Sequence, residues 1–327
     1  MRSLRVLAVV VVVLAPAIAT AASAGAVLPQ VVGTCNMTIS QSVQLANDLS
    51  CSGEPALNIT TAPGRLMTVD LGGHTMSTTN FSPAIGVQNG GGSVVIKNGH
   101  VVGGAVDLGN GSGALTTYEK VTFDGIGVYA IADNTRVYHN WFTHGATVDG
   151  NGLTTWDIDH NNFVGSGDAG PAINIAGETA TIEKNLISGY ETGISLNGAN
   201  TSVNVFQNDI YGAGTGITVG GTPDSSAITG QLRSNHLEYG RGDAVVLGDG
   251  AQTVVLNNLL KLNGGDGLHV VSNGGAAIGV TITNNNAILN VGVGIDASAT
   301  GPNVTVTDGG SNHAVSNLGG QCLNVAC

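Results

Sequence analysis

Residues 258–268 read NLLKLNGGDGL and residues 285–295 read NNAILNVGVGI. Asn258, Asn263, Gly267 and Leu268 map onto Asn285, Asn290, Gly294 and Ile295, each 27 residues on. A further shift of 27 reaches Asn312, Ala314 and Asn317. Self-similarity at a fixed spacing of this size is the mark of a repeat architecture. Working backwards, the same unit recurs as LRSNHL, VFQNDI, IEKNLI, IDHNNF and VYHNWF, with marker asparagines 235, 208, 185, 161 and 140. KNGH at Asn98 and TFDG at Asp124 fit the pattern less well.

A second marker follows each asparagine, in PAINI, TGISL, TGITV, DAVVL, DGLHV and VGIDA. Each unit is therefore a short strand, a turn at Asn, an apolar residue, a Gly-rich corner and another short strand. Apolar residues alternate on the β-rich runs, so one face of each strand is buried. Glycine and asparagine tolerate the left-handed backbone that sharp corners need. Stacked asparagines can bond one another's amides and satisfy buried backbone groups. One coil cannot bury its own face, so coils stack along one axis. The leucine-rich solenoid wants an L-x-x-L-x-L frame, which is absent, and a sandwich wants hairpin signals between its strands.

Composition agrees. The chain has 51 glycines in 327 residues and only 10% charged residues, yet 42% hydrophobic residues, too many for a disordered chain. Residues 1–24 carry two arginines, an apolar run and A-x-A spacing at Ala22–Ala24, the pattern of a secretory signal peptide. The mature chain is then expected outside the cell, with no membrane span. Without Arg2 and Arg5 the 10 Lys+Arg fall to 8 against 22 Asp+Glu, a formal net charge of −14. No basic stripe exists to neutralise phosphates, so nucleic acid is excluded as a partner. An acidic glycan needs a divalent cation to bridge it to so acidic a protein. Cys35, Cys51, Cys322 and Cys327 sit at the two ends of the mature chain. Three pairings exist, and short loops favour 35 with 51 and 322 with 327.

These repeats resemble those of secreted right-handed parallel β-helix proteins, the fold shared with pectate lyases, over roughly residues 57–316. Similar to that group are also the opening CNMTISQSVQLANDLSC, the following VDLGGHTM (69–76) and the ending GGSNHAVSNLGGQCLNVAC. The expected architecture is an all-β solenoid of about ten coils, near 50 Å long at about 4.8 Å per coil. Residues 25–56 and 317–327 would form disulfide-bearing caps over its ends. A monomer is expected.

Register then places the outward residues of one face. In WDIDHNNF (156–163), Asn161 is the ladder residue, and Trp156, Ile158 and Phe163 point inward. Asp157 and Asp159 point outward, in slots that hold Arg136 and Tyr138 one coil earlier. The same slots hold Thr181 and Glu183 one coil later, then Asn204 and Phe206, then Gln231 and Arg233. Adjacent coils bring Asp159 and Glu183 to about 5 Å, and like charges so close call for a proton or a cation. Calcium suits such an oxygen-rich set. By resemblance to pectate lyases, Asp157, Asp159 and Glu183 would hold calcium. Lys184, Arg233 or His160 would abstract the proton α to a uronate carboxylate. Arg136 and Tyr138 would grip the substrate, and Trp141 would stack on a sugar ring.

Departures from the family weigh against this. The Asn-Thr-Asp, Asp-Asp and Gly-His-Gly segments of polygalacturonases are missing, and nothing matches the pectate-lyase segment around its catalytic arginine. Alternating charges also simply decorate a solenoid, where surface pairs contribute little. Other polar groups read as structural. Arg241–Asp243 spell an RGD tripeptide at the start of a strand, and Asp249 and Asp266 are turn residues. Two classes of function remain: a polysaccharide lyase or epimerase working with calcium, and a non-catalytic glycan-binding or matrix protein.

Overall fold

The computed structural model describes residues 30–327 apart from 54, 80–82, 110–112, 132–133, 168, 199–200 and 221–226. The leader-like segment 1–24 and the connection at 221–226 lie outside the described residues. Among the described residues thirty-four strands, from Gln30–Val32 to Gly320–Leu323, wind into one solenoid, and their pairings are parallel. There are about 12 coils, which at about 4.8 Å each give a rod of about 58 Å. The two or so coils beyond the ten expected lie at the N-terminal end. Met37–Ile39, Val43–Leu45 and Leu49–Ser52 already pair with the strands of the next coil. The bridges Cys35–Cys51 and Cys322–Cys327 join the terminal segments in the local pattern.

Each coil contributes to three sheets. The first holds Asn134–Tyr138, Ser202–Phe206 and Ile228–Arg233; the second holds Trp141–Thr143, Asp209–Tyr211 and His236–Glu238. The third holds Thr215–Val219, Val245–Leu247 and Leu268–Val270. The corner between the first and second sheets turns on one left-handed residue per coil. His139, His160, Lys184, Gln207, Ser234, Asn257 and Asn284 have φ between 51° and 58°. The residue after each is the ladder asparagine. From Asn140 to Asn285, each donates its amide Nδ2–H to the Oδ1 of the next coil's asparagine at 2.9–3.3 Å, and also bonds a carbonyl of the preceding coil. A second ladder, Asn263–Asn290–Asn317, follows the second sheet. Asn98 and Asp124 are off the first ladder. Asn98 is itself the left-handed corner residue, and Gly99 and Val121 occupy the ladder slot in those coils.

Inside, like residues stack on like. Phe123, Phe142 and Phe163 form a column with centroids 5.1 and 4.4 Å apart. Ile158, Ile182, Val205, Leu232 and Val255 form another, all fully buried. Trp156 is buried as well. The interior slot at the end of strand Ala105–Asp107 is acidic. Asp107 stacks between Val87 and Ala130, with its Oδ1 accepting from the Gly109 N–H at 3.0 Å and its Oδ2 without a hydrogen-bond partner.

Burial raises the Asp107 pKa, opposed by Thr116 and Gly109. A carboxyl with a raised folded-state pKa favours folding at pH below its unfolded value, and that contribution is lost as pH rises through the folded value. Asp107→Asn keeps the Oδ1 acceptor and removes the ionisation. At pH 7 it should therefore melt higher than the parent, and the gap should close below about pH 4. Melting curves across that range test it; a gap that widens on acidification would be the wrong sign.

Candidate functional site

The outward slots of the first sheet are filled as the register requires. Arg136, Asp157, Thr181, Asn204 and Gln231 form one row, and Tyr138, Asp159, Glu183, Phe206 and Arg233 the other. Asp157 is half-buried, but Asp159 is only 6% exposed, so the expectation that both face solvent is corrected for Asp159. The cover comes from its neighbours. Arg136 lies between the two carboxylates, with Nε 3.2 Å from Asp157 and Nη2 3.3 Å from Asp159, and its guanidinium stacks 4.6 Å over Tyr138. The Nε contact is close but not aligned as a hydrogen bond. His160 Nδ1 is 3.7 Å from Asp159 Oδ1.

Lys184 Nζ is 3.4 Å from Glu183, and Arg233 stacks 4.2 Å over Phe206. Burial raises the Asp157 pKa, as does Asp159, while Arg136 opposes them. So this face carries its own counter-ions: Arg136 serves both aspartates, and Lys184 serves Glu183. Asp157, Asp159 and Glu183 do not converge on a common point. Among the described residues, one other set brings three donor atoms within 4.8 Å of one another. Trp141 is 54% exposed but stands on the second sheet, around the asparagine corner from Asp157.

The second sheet carries a denser network. Lys261 Nζ donates to Glu238 at 2.8 Å, and His236 Nε2 is 3.1 Å from the same carboxylate. Tyr211 Oη and Asp209 approach His236 Nδ1 at 3.4 and 3.6 Å. The lysine hydrogen bond holds Glu238 below the usual carboxylate range. Glu238 thus has its own counter-ion in Lys261.

The corner leading into the third sheet is different. Here the carboxylate of one coil reaches over the glycine of the next. Asp243 Oδ1 accepts from the Asp266 N–H at 2.6 Å, and Asp266 Oδ1 accepts from the Val293 N–H at 2.6 Å. A Cβ on Gly265 or Gly292 would collide with those oxygens, so both positions need glycine. One residue type thus fixes the carboxylates and another makes room for them.

Both Oδ2 atoms are left facing His269, whose Nδ1 lies 3.1 Å from Asp243 and 3.8 Å from Asp266. These are the three donor atoms that do converge. The Asp243 hydrogen bond raises the His269 pKa against the effect of burial. Burial works to raise Asp243, but its bonds to His269 and to the Asp266 N–H prevail and lower it. With both oxygens engaged in this way, Asp243 is not presented as part of an RGD loop.

Beside Asp243 lies an open groove of about 490 Å³, lined by Gly167, Glu191, Gly214, Arg241 and Gly242. Arg241 spans three coils to donate from Nη2 to the Gly167 carbonyl at 2.7 Å. The groove walls thus carry one cation and one carboxylate, Glu191.

Sequence reading passed over this site. Asp243 reads as the end of an RGD tripeptide at the start of a strand, Asp266 as an ordinary turn residue, and His269 stands alone in an apolar strand. The available signal was the 23-residue step from Asp243 to Asp266, with His269 three residues further, in a chain already known to repeat.

Parallel coils, an asparagine ladder and a polar corner groove define a β-helix protein. Residues 144–309 match the family model described as a right-handed β-helix region, and the chain belongs to that family. No curated protein matches the sequence. Among solved structures, the chain is similar to a mutant of the periplasmic alginate epimerase AlgG. The identity is 13% and the TM-score 0.52, covering 88% of this chain and 76% of that one. It is also similar to the Dettilon tailspike protein, at 14% identity and a TM-score of 0.58, covering 87% of this chain and 61% of that one. At these identities the likeness is one of fold. Among the described residues no helix is long and apolar enough to cross a membrane.

Proposed function

We propose that the protein works outside the cytoplasm on an acidic polysaccharide, held in the corner groove beside the third sheet, as a uronate lyase or epimerase. The observation that carries this is Arg241, a cation fixed by Gly167 on the wall of a groove that also carries Glu191. A guanidinium is suited to pairing with a planar carboxylate. Paired with a uronate carboxylate, Arg241 stabilises the charge that develops when the proton α to it leaves. Glu191 is the groove's proton acceptor, a role worth roughly 10²–10⁴-fold in rate. Loss of the 4-linked sugar from the resulting enolate gives cleavage, and reprotonation from the other side gives the epimer.

Two further observations support the assignment. The disulfides fit an oxidising compartment. A structurally similar protein is an alginate epimerase, and alginate is a polyuronate. A second reading, glycan binding without turnover, is favoured by the exposed Trp141 on the second sheet.

The test is incubation with a panel of polyuronates, following ultraviolet absorbance for unsaturated ends and proton exchange from heavy water for epimerisation. Turnover is expected on one substrate, reduced more than about tenfold in Arg241→Ala and Glu191→Gln and unchanged in Asp157→Asn. Binding without turnover would select the second reading. Neither binding nor turnover on any polyuronate would rule out both.

A further inference from the structure

We infer that Asp243, Asp266 and His269 form a binding site for a divalent transition metal ion of the zinc class. The first ground is the donor set. One donor atom from each of Asp243, Asp266 and His269 lies within 4.8 Å of the other two, and His269 Nδ1 stands 3.1 Å from Asp243 Oδ2 and 3.8 Å from Asp266 Oδ2. Donors about 2.0–2.2 Å from a tetrahedral zinc stand about 3.4 Å apart, so the observed edges bracket that value. One imidazole with two carboxylates is a mixed nitrogen–oxygen set that suits zinc better than calcium, which takes oxygen alone.

The second ground is charge. On the other two sheets the main acidic groups have their own cations: Arg136 for Asp157 and Asp159, Lys184 for Glu183, Lys261 for Glu238. At this corner three carboxylates surround one imidazole. Asp296 stands beside His269 in the next coil. Among the described residues no lysine or arginine forms an ion pair with Asp243, Asp266 or Asp296. The one arginine nearby in sequence, Arg241, directs its Nη2 to the Gly167 carbonyl instead.

The third ground is rigidity. Each aspartate has one oxygen held by a backbone N–H: Asp266 N on Asp243, Val293 N on Asp266 and Ser298 N on Asp296. The other oxygen of Asp243 and of Asp266 faces His269 Nδ1, at 3.1 and 3.8 Å, so the three donors meet at one point where a cation would replace the proton between Asp243 and the imidazole. Half-buried carboxylates fixed in this way are pre-organised for a cation and cannot swing apart to relieve their repulsion.

The inference stands apart from the glycan reading, because its readout is the metal alone. Untagged mature protein, stripped with chelator, would be titrated calorimetrically with zinc, with manganese and calcium as parallel arms. One equivalent of zinc is expected to bind, more tightly than calcium. Asp266→Asn keeps the oxygen that holds Val293 and loses the charge; His269→Gln removes the nitrogen. Each should weaken zinc at least tenfold while retaining the β-rich circular dichroism of the parent, and Asp157→Asn should leave zinc binding as it is. Absence of a one-to-one zinc isotherm would overturn the inference. So would zinc binding that survives intact in folded His269→Gln protein, or calcium binding tighter than zinc.

Discussion

Asn208→Ala is expected to destabilise the protein by about 3–5 kcal/mol, from two stranded backbone groups at about 1–3 kcal/mol each and the small void left behind. Asn208 Oδ1 accepts from both the N–H and the Nδ2–H of Asn185 at 3.0 Å, and its Nδ2 donates to the Ile182 carbonyl at 2.9 Å. All of these groups are buried, so water cannot replace the lost partner. Domains of ordinary stability hold about 5–15 kcal/mol in total, so the loss would be a large fraction of it. Asn208→Asp should be as severe at neutral pH. It keeps the shape and the Oδ1 acceptor, but sets a charged oxygen against the Ile182 carbonyl. Urea unfolding followed by circular dichroism measures both. A loss under about 1 kcal/mol would mean that the ladder fills space without holding the coils.

Gly230→Ala should do still more, leaving little folded protein. Gly230 has φ +130°, a conformation that side-chain-bearing residues rarely adopt, and it stacks directly on Val203. A Cβ there would fall on the Val203 carbonyl oxygen. Relief would require the two coils to part, while parallel strands must stay about 4.8 Å apart to keep their hydrogen bonds. Nearest-neighbour contacts carry the stability of a solenoid, so a fault at one interface splits the stack. Gly279→Ala is the matched control. Its added methyl would meet only Gln252 at 3.8 Å, with no left-handed φ, and its melting temperature should stay within a few degrees of the parent. Comparable melting of the two variants would contradict the stacking geometry.

The architecture was legible because a solenoid writes its contacts into its sequence at a fixed offset. Asn258, Asn285 and Asn312 are bonded in series, and so are Asn263, Asn290 and Asn317. Outward slots could be counted from the ladder, which placed Arg136 beside Asp157 and Asp159 beside Glu183. The coil number was underestimated because counting began at the marker Asn98, with two coils already wound ahead of it.

The candidate site was harder to read for a different reason. Register says which side chains are neighbours, not which of them neutralise one another. Asp157, Asp159 and Glu183 make an acidic rung in sequence, but Arg136 bridges the two aspartates and buries Asp159. At the corner the opposite holds. Asp243 reads as the start of a strand and Asp266 as a residue that merely closes a turn. Their second oxygens become available to His269 only because a backbone N–H of the next coil takes the first. Arg241 reaches the Gly167 carbonyl across 74 residues, a contact that no local pattern announces.

Which face of the solenoid meets the glycan is the point on which the functional proposal turns. Calorimetric titration of an oligouronate into the parent protein, Arg241→Ala and Arg136→Ala compares the corner groove with the acidic rung directly. Loss of one charge-assisted contact costs about 1.5–3 kcal/mol, or roughly 10- to 150-fold in affinity. That loss is expected for Arg241→Ala, with Arg136→Ala binding as the parent does. The reverse outcome, full binding by Arg241→Ala and lost binding by Arg136→Ala, would return the site to the first sheet and contradict the assignment.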